Sequence, residues 1–327
     1  MDRIAITGAG GFFSRALEPR LAERAPLRGL FRSSSDRSEA WLKKGHEVVY
    51  GDLADDGALR VLLDGVDVVY HLAARRGKGD LEASRRVNVV GTERLARASA
   101  AAGVGRLVYV SSISVYAETN APDGMITEEV EPRGIALLNP YSKTKYEGES
   151  ALRRLADSGD APPVTVVRPT NVYGPWGRSW FLDWVARVRR VPVVIGGDIP
   201  VDIVHVDDVA AGLIQAGESP MAEHETLHLG HESVLLSDFG IRVGRAVGIR
   251  VRRLPGLPDY LARVAIERGH RLLHGHRRST SLLRHVSFPH ERAQRLVGYA
   301  PSVSLNEGFE GLRRWYRETF GDEPIQV

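Results

Sequence analysis

The chain contains no cysteine. Disulfides, thiolate nucleophiles and cysteine-ligated metals are therefore excluded, and a reducing compartment is compatible. Lysine is scarce. Lys43, Lys44, Lys78, Lys143 and Lys145 are the full set, so arginine carries nearly all the positive charge. No basic run is interleaved with aromatics as single-strand binding requires, so the arginine bias reads as solvated surface and not as a nucleic-acid partner. The formal net charge is only +3, although the pI is near 9.2. No run approaches the roughly 18 apolar residues of a membrane span. The opening MDRIAITG enters a short strand with no apolar signal core. These absences lead to the expectation of a cytoplasmic protein without stable membrane insertion.

What is present is an ordinary globular composition, 43% hydrophobic and 26% charged over 327 residues. That length buries a sizeable core. Short apolar runs at 4–7, 27–31, 47–50, 66–73, 107–111 and 164–168 are rich in Val, Ile, Leu and Tyr. Such runs suit strands buried on both faces. Helical patterns at 14–23, 55–63, 81–102 and 141–156 separate them. This alternation predicts an α/β fold, a doubly wound parallel sheet of Rossmann type. The second half is less regular. It reads as a helix over 179–190, strands at 201–206, 226–229 and 249–254, helices from 207 and 237, a basic helix near 258–274 and a final helix over 305–320. The proline- and glycine-bearing stretch 171–177 is the expected crossing between lobes. The expected division is a cofactor domain of 1–170 plus about 203–230, and a smaller α/β substrate lobe of about 171–202 plus 231–327.

The first strand runs into TGAGGFFS, residues 7–14. Gly8 permits a tight turn, and Gly11 lets backbone approach a pyrophosphate before the next helix begins. Ser14 stands where a third glycine is usual. That position serves helix–strand packing, so serine there affects packing more than phosphate binding. At the end of the second strand, where an acid would hold the ribose hydroxyls of NAD, the chain reads Phe31, Arg32, Ser33. An arginine with hydroxyls suits a 2′-phosphate, which favours NADP(H) over NAD(H). The competing reading makes Arg32 a solvated strand end and gives the ribose to Asp36 or Asp52.

Tyr141 and Lys145 are four residues apart and share one helical face. A phenol near pKa 10 is a poor base at neutral pH, and a neighbouring ammonium lowers that value. Tyr141 then becomes a usable acid/base, with Ser112 at a strand end to hold a substrate oxygen.

The motifs TGAGGFFS (7–14), GDL (51–53), HLAA (71–74), NVVGT (88–92), SSISVY (111–116), YSKTK (141–145), RPTNVYGP (168–175) and HVDDVA (205–210) stand in order along nearly the whole chain. In this the sequence resembles the extended short-chain dehydrogenase/reductases, the NAD-dependent epimerase/dehydratase group. The resemblance implies a catalytic set of Ser112, Tyr141 and Lys145. It implies cofactor contacts from Gly8, Gly11, Phe12, Phe13, Asp52, Leu53, Leu72, Ala73, Ala74 and Asn88. Tyr141 and Lys145 also belong to that set, and Pro169 and Val172 flank the nicotinamide. Asn171 is expected to face the substrate, with Trp176 near it. A homodimer through helices 81–102 and 141–156 is implied as well. The motif HVDDVA reads as packing, with Asp207 or Asp208 as a helix cap, and His205 as structural.

Three reaction classes follow: an NAD(P)-dependent oxidoreductase, a nucleotide-sugar epimerase or dehydratase retaining NAD, and a non-catalytic cofactor-binding protein. The intact Ser112, Tyr141 and Lys145 disfavour the third. Sugar dehydratases of the family carry Asp-Glu after the catalytic hydroxyl, where this chain has Ile113 and Ser114. Sugar-nucleotide enzymes tend to have an arginine where this chain has Val201. The tail 288–316 is similar to that of dihydroflavonol-reductase-like and 3β-hydroxysteroid-dehydrogenase-like members, which act on fairly apolar small molecules. Trp176, Trp180, Phe181 and Trp184 read either as core or as a pocket wall. The basic helix reads as a lid with solvated arginines before it reads as a membrane contact. His270, His274, His276 and His285 lack partnering carboxylates at ligand spacing, so no metal is expected.

Overall fold

The computed structural model describes residues 3–76, 80–117, 119, 121, 123–177, 180–195, 199–254 and 286–321. The expected basic helix at 258–274 and the histidines at 270, 274, 276 and 285 lie outside the described residues.

Strands β1 (Ile4–Thr7), β2 (Leu27–Phe31), β3 (Glu47–Tyr50), β4 (Val68–His71), β5 (Arg106–Val110) and β6 (Val164–Pro169) join the later β10 (Thr226–Leu229). They form one sheet in the order β10-β6-β5-β4-β1-β2-β3, and every pairing is parallel. The fold is therefore the expected doubly wound α/β sheet. Strands β1, β2, β4, β5, β6 and β10 are buried throughout. Only the edge strand β3 exposes side chains freely, which is why the inner strands read as continuous apolar runs. Helices α1 (Phe12–Ala22) and α8 (Val206–Glu218) cover one face with Leu17, Leu21, Val209 and Leu213. The other face holds α3 (Asp56–Leu63), α5 (Gly91–Ala101) and α6 (Pro140–Asp157), through Leu59, Leu62, Leu95 and Leu152.

Two local departures from the sequence reading bear on the site. Helix 81–102 is not continuous. It divides into α4 (Leu81–Arg85), a π-helical turn (Arg86–Val90) and α5. One extra residue per turn is a local insertion into the ladder, often found at functional sites, and here it carries Asn88. The second is α2 (Asp36–Lys43), started by a capping box between Ser35 and Ser38. The usual glutamate or glutamine signal is absent from that box, so the sequence carries no marker of this helix. Buried Glu18 of α1 ties α2 down by accepting from Arg37 and Lys44 at 2.9 Å.

After β6 the chain leaves the main sheet. Strand β7 (Asn171–Tyr173) pairs in parallel with β9 (Pro200–His205), which pairs antiparallel with β11 (Glu232–Leu235). Strands β8 (Val193–Ile195) and β12 (Arg252–Leu254) form a parallel pair. Around them pack α7 (Trp180–Arg190), α9 (Leu236–Ala246) and α11 (Leu305–Phe320). The short α10 (Glu291–Val297) returns to the main sheet beside β10. Phe181, Trp184, Phe239, Phe309, Trp315 and Tyr316 share one cluster. Of the two sequence readings of Phe181 and Trp184, core packing is the one realised.

Candidate active site

The strand order reverses between β1 and β4, with Thr7 opposite His71. Ligands of such sheets lie in the crevice beyond that point. Gly8 follows Thr7 with φ +69, and a Cβ on it would stand 2.7 Å from the Ala73 nitrogen. Only glycine fits both demands. The turn closes with Gly11 N–H donating to the Gly8 carbonyl at 2.8 Å. Gly11 then caps α1 without any side-chain acceptor, so the first N–H groups of α1 stay available to an anion. Ser14 is fully buried at the packing position. Phe12 and Phe13 are half-buried, with rings 5.3 Å apart.

At the end of β2, Phe31 is buried edge-on against Trp41, with ring centroids 5.4 Å apart. Arg32 and Ser33 are exposed. Asp36 lies in the first turn of α2. Asp52 Oδ1 accepts from Ala54 N–H at 2.7 Å. Leu53 is buried against Gly91. Leu72 and Ala73 are half-buried and Ala74 is exposed, so the strand end after β4 presents backbone to the crevice.

A one-way hydrogen-bond chain holds this strand end. Thr92 donates to the Asn88 carbonyl at 2.9 Å, so His71 Nε2–H must donate to Thr92, also at 2.9 Å. His71 Nδ1 is then the acceptor of the Thr7 hydroxyl at 2.7 Å, and Thr7 in turn accepts from Ala73 N–H at 3.3 Å. Burial and the nearby Lys145 push His71 down to about 3, which keeps this tautomer neutral. Asn88 is buried. Its side chain brackets Arg75 by donating to the carbonyl and accepting from the N–H, and it donates to Thr144 on α6. Its amide therefore fixes the segment 73–76 against α6.

Beyond β5, Ser112 heads a short 3-10 turn (Ile113–Tyr116) and accepts from Ser114 N–H at 3.2 Å. Helix α6 packs on that turn. Asn139 caps α6 and Pro140 fills its first position, an arrangement that fixes where Tyr141 begins. Lys145 follows one turn later. It is 1% exposed, and its Nζ lies 4.3 Å from the centroid of the Tyr109 ring. Burial pushes the ammonium down to about 7, and Glu149 one turn further draws it back up. Burial raises the Tyr141 phenol, and the cation working against that rise is Arg76, whose guanidinium lies 5.3 Å from the Tyr141 ring. In the sequence that electrostatic task falls to Lys145 alone. Arg76, Tyr109 and Glu149 were missed there, since only tertiary structure joins the first two to the YxxxK pair.

Ser112 and Asn171 line a largely apolar cavity of about 180 Å³ with Tyr116, Ile126, Asp202 and Phe288. Asn171 donates to the Asp202 carbonyl at 2.9 Å. Burial raises the Asp202 carboxyl, which accepts from Phe288 N–H at 2.6 Å. Beneath the cavity, Arg168 donates to Tyr116 and forms a fully buried pair with Glu149. Pro169 is buried at the end of β6, and Val172 is half-buried on β7. Trp176 stands apart from the cavity lining. It has φ +68, is partly exposed, and lies 6.0 Å from the Arg15 guanidinium at the start of α1. Among the described residues no three His, Asp or Glu side chains gather as a metal site requires, and no helix is long and apolar enough to cross a membrane.

Comparison with known proteins matches this architecture. The family model described as "NAD dependent epimerase/dehydratase family" matches residues 4–230. A 2-alkyl-3-oxoalkanoate reductase of Stenotrophomonas maltophilia is 30% identical, over 95% of this chain and 98% of its own. A UDP-glucose 4-epimerase of Mycolicibacterium smegmatis is 29% identical, over 96% of this chain and 98% of its own. The crystal structure of gox2253 superposes with a TM-score of 0.80 at 28% identity, covering 99% of this chain and all of that one. The crevice at the β1–β4 switch, the Tyr141–Lys145 pair and the match over residues 4–230 agree, and the chain belongs to the NAD-dependent epimerase/dehydratase family.

Proposed function

We propose that the protein is an NADP(H)-dependent oxidoreductase acting on a carbonyl or secondary alcohol of a small, fairly apolar substrate. The observation that carries this reading is the buried Lys145 one turn from Tyr141, with Ser112 at the edge of a largely apolar cavity. The Gly8 turn and the uncapped start of α1 fit a dinucleotide, because any Cβ at Gly8 would close the cradle. Gly8, Gly11, Phe12 and Phe13 would hold its phosphates, and Leu72, Ala73 and Ala74 its ribose. Exposed Arg32 and Ser33, with no acid at the end of β2, support the 2′-phosphate form. In this division of labour residues 1–170 and about 203–230 bind cofactor, and the remaining lobe binds substrate.

Bound nicotinamide supplies or accepts the hydride. Ser112 donates to the substrate oxygen and fixes it beside the phenol. Tyr141 gives its proton to that oxygen in reduction and takes it back in oxidation. Lys145, held near 7, stabilises the phenolate and restores the proton. The cavity side chains Asn171 and Tyr116 orient the rest of the substrate.

Tyr141→Phe tests the assignment. Turnover should fall about a hundredfold or more while NADPH affinity stays within about twofold. Normal turnover in that variant would sink it. The second reading, a nucleotide-sugar epimerase retaining NAD, draws support from the epimerase relative at nearly equal identity. It is tested by offering UDP-sugars without added cofactor. A homodimer through helices 81–102 and 141–156 is supported by a groove of about 400 Å³ between the end of α4, the π-helical turn and α6, lined by Val89, Val90 and Tyr146, with Val90 48% exposed. The absence of cysteine supports a cytoplasmic setting.

A further inference from the structure

Resting on the reductase reading, we propose that Thr170 and Asp202 form a hydroxyl-binding subsite in the cavity that Ser112 lines, and that the substrate is a small hydroxy ketone or the diol it gives on reduction. Thr170 lines that cavity and is 4% exposed. Its hydroxyl finds no hydrogen-bond partner among the described residues. A buried hydroxyl in that condition costs free energy until a partner arrives. The rest of the residue is engaged. Its N–H donates to the Leu229 carbonyl at 2.9 Å, and a Cβ on Gly230 would stand 3.2 Å from its methyl carbon. Backbone and methyl group are thus held at the end of β10, and the hydroxyl is left for the cavity.

Its neighbour in the cavity wall is Asp202. Asn171 stands opposite Ile203 in the parallel pairing of β7 with β9. One step back, the same register sets Thr170 beside Asp202, with both side chains on one face. Asn171 reinforces that register by donating to the Asp202 carbonyl at 2.9 Å. The Asp202 carboxylate accepts from Phe288 N–H at 2.6 Å and keeps further acceptor positions. A ligand group between the two must accept the Thr170 proton and donate one to Asp202. A hydroxyl does both. A carboxylate or a carbonyl would turn lone pairs on Asp202, and an ammonium would leave the threonine proton without an acceptor. The cavity, at about 180 Å³, is smaller than the roughly 300–1,000 Å³ of drug-sized ligand sites. This hydroxyl and the oxygen held by Ser112 therefore belong to one small molecule. Ser114, whose hydroxyl also lacks a partner among the described residues, belongs to the Ser112 end, where its N–H donates to the Ser112 oxygen at 3.2 Å. Ile113, Ile126 and Phe288 suit the alkyl remainder.

The probes are two pairs in which a hydroxyl stands in for a methyl group: 4-hydroxybutan-2-one with pentan-2-one, and 1-hydroxybutan-2-one with pentan-3-one. They are titrated calorimetrically into the protein with saturating NADP+, which cannot reduce them. In the natural chain at least one hydroxy ketone should bind about tenfold or more tighter than its methyl partner. Thr170→Val keeps the shape of threonine without the hydroxyl and should cut that ratio about tenfold, whereas Thr170→Ser should retain most of it. The methyl ether of the preferred ketone accepts but cannot donate, and should bind no tighter than the methyl partner. The urea midpoint of the ligand-free protein separates this role from a structural one. Thr170→Val should leave it unchanged or higher, because no internal hydrogen bond is lost. Ratios near one in both pairs, an unchanged ratio in Thr170→Val, a methyl ether as tight as the hydroxy ketone, or a lower urea midpoint in Thr170→Val overturns the proposal. Turnover of plain ketones with no hydroxyl preference would keep the reductase reading and overturn the subsite. A preference lost in Thr170→Val, in a protein that oxidises no NADPH, would keep the subsite and refute the reductase reading.

Discussion

Replacing Lys145 with methionine should destroy turnover and make the protein more stable. The lysine is 1% exposed and lies over an aromatic ring, with its ammonium held near 7 in place of 10.5. The charged form therefore carries a penalty of about 5 kcal/mol, at about 1.4 kcal/mol for each pH unit. Methionine keeps the unbranched stem and removes the charge. It also gives up the ammonium–ring attraction, about 1–2 kcal/mol when desolvated. Glu149 keeps its partner Arg168, so no buried carboxylate is orphaned. The net expectation is a gain of about 3–4 kcal/mol at pH 7, read as a higher urea midpoint with an unchanged m-value. The pH dependence fixes the cause. Between pH 7 and 10.5 the unfolded lysine binds a proton that the folded one does not, so the natural chain gains stability as pH rises through that window. The advantage of Lys145→Met should be largest below pH 7 and fade toward pH 10. A variant less stable at pH 7, or an advantage independent of pH, would refute the reasoning.

Gly8→Ala places a methyl group against the Ala73 backbone in a left-handed conformation. NADPH affinity measured by fluorescence titration should fall about tenfold or more, and an unchanged affinity would contradict the loop geometry. Glu149→Gln leaves the Arg168 charge buried without its carboxylate. Urea unfolding should record a loss of about 3–5 kcal/mol, where a loss below about 1 kcal/mol would mean that the pair is not the tie it looks to be. Arg32→Ala should weaken NADPH about tenfold or more and leave NADH nearly untouched. Equal effects on both would remove the 2′-phosphate assignment.

Much of the fold was legible because the inner strands are buried on both faces and stand as uninterrupted apolar runs in the chain. The glycine turn was legible because Gly8 meets constraints no other residue meets and Gly11 closes the turn onto its carbonyl. The same holds for the Tyr141–Lys145 spacing, which is local to one helix. The π-helical turn at Asn88 was not legible, since residues 81–102 keep a helical pattern across it and the extra residue is held by Asn88 side-chain bonds to a distant strand end. Helix α2 escaped because serine, not glutamate, closes its capping box. Phe31 illustrates a different limit. Its place in the sequence suggested the cofactor edge, yet Trp41 from α2 buries it, and Arg32 is left as the exposed group. Arg76 and Tyr109 act on α6 from the segment after β4 and from β5, and no local spacing relates them to it.

The central claim is net hydride transfer to a carbonyl with Tyr141 as the acid. It is tested most directly with C4-deuterated NADPH and a set of medium-chain ketones, following loss of the reduced-nicotinamide absorbance and the mass of the product. The account predicts one secondary alcohol formed for each NADPH consumed, deuterium on its carbinol carbon, and neither event in Tyr141→Phe. Interconversion of UDP-sugars without added cofactor, with no NADPH consumed by any carbonyl compound, would contradict it.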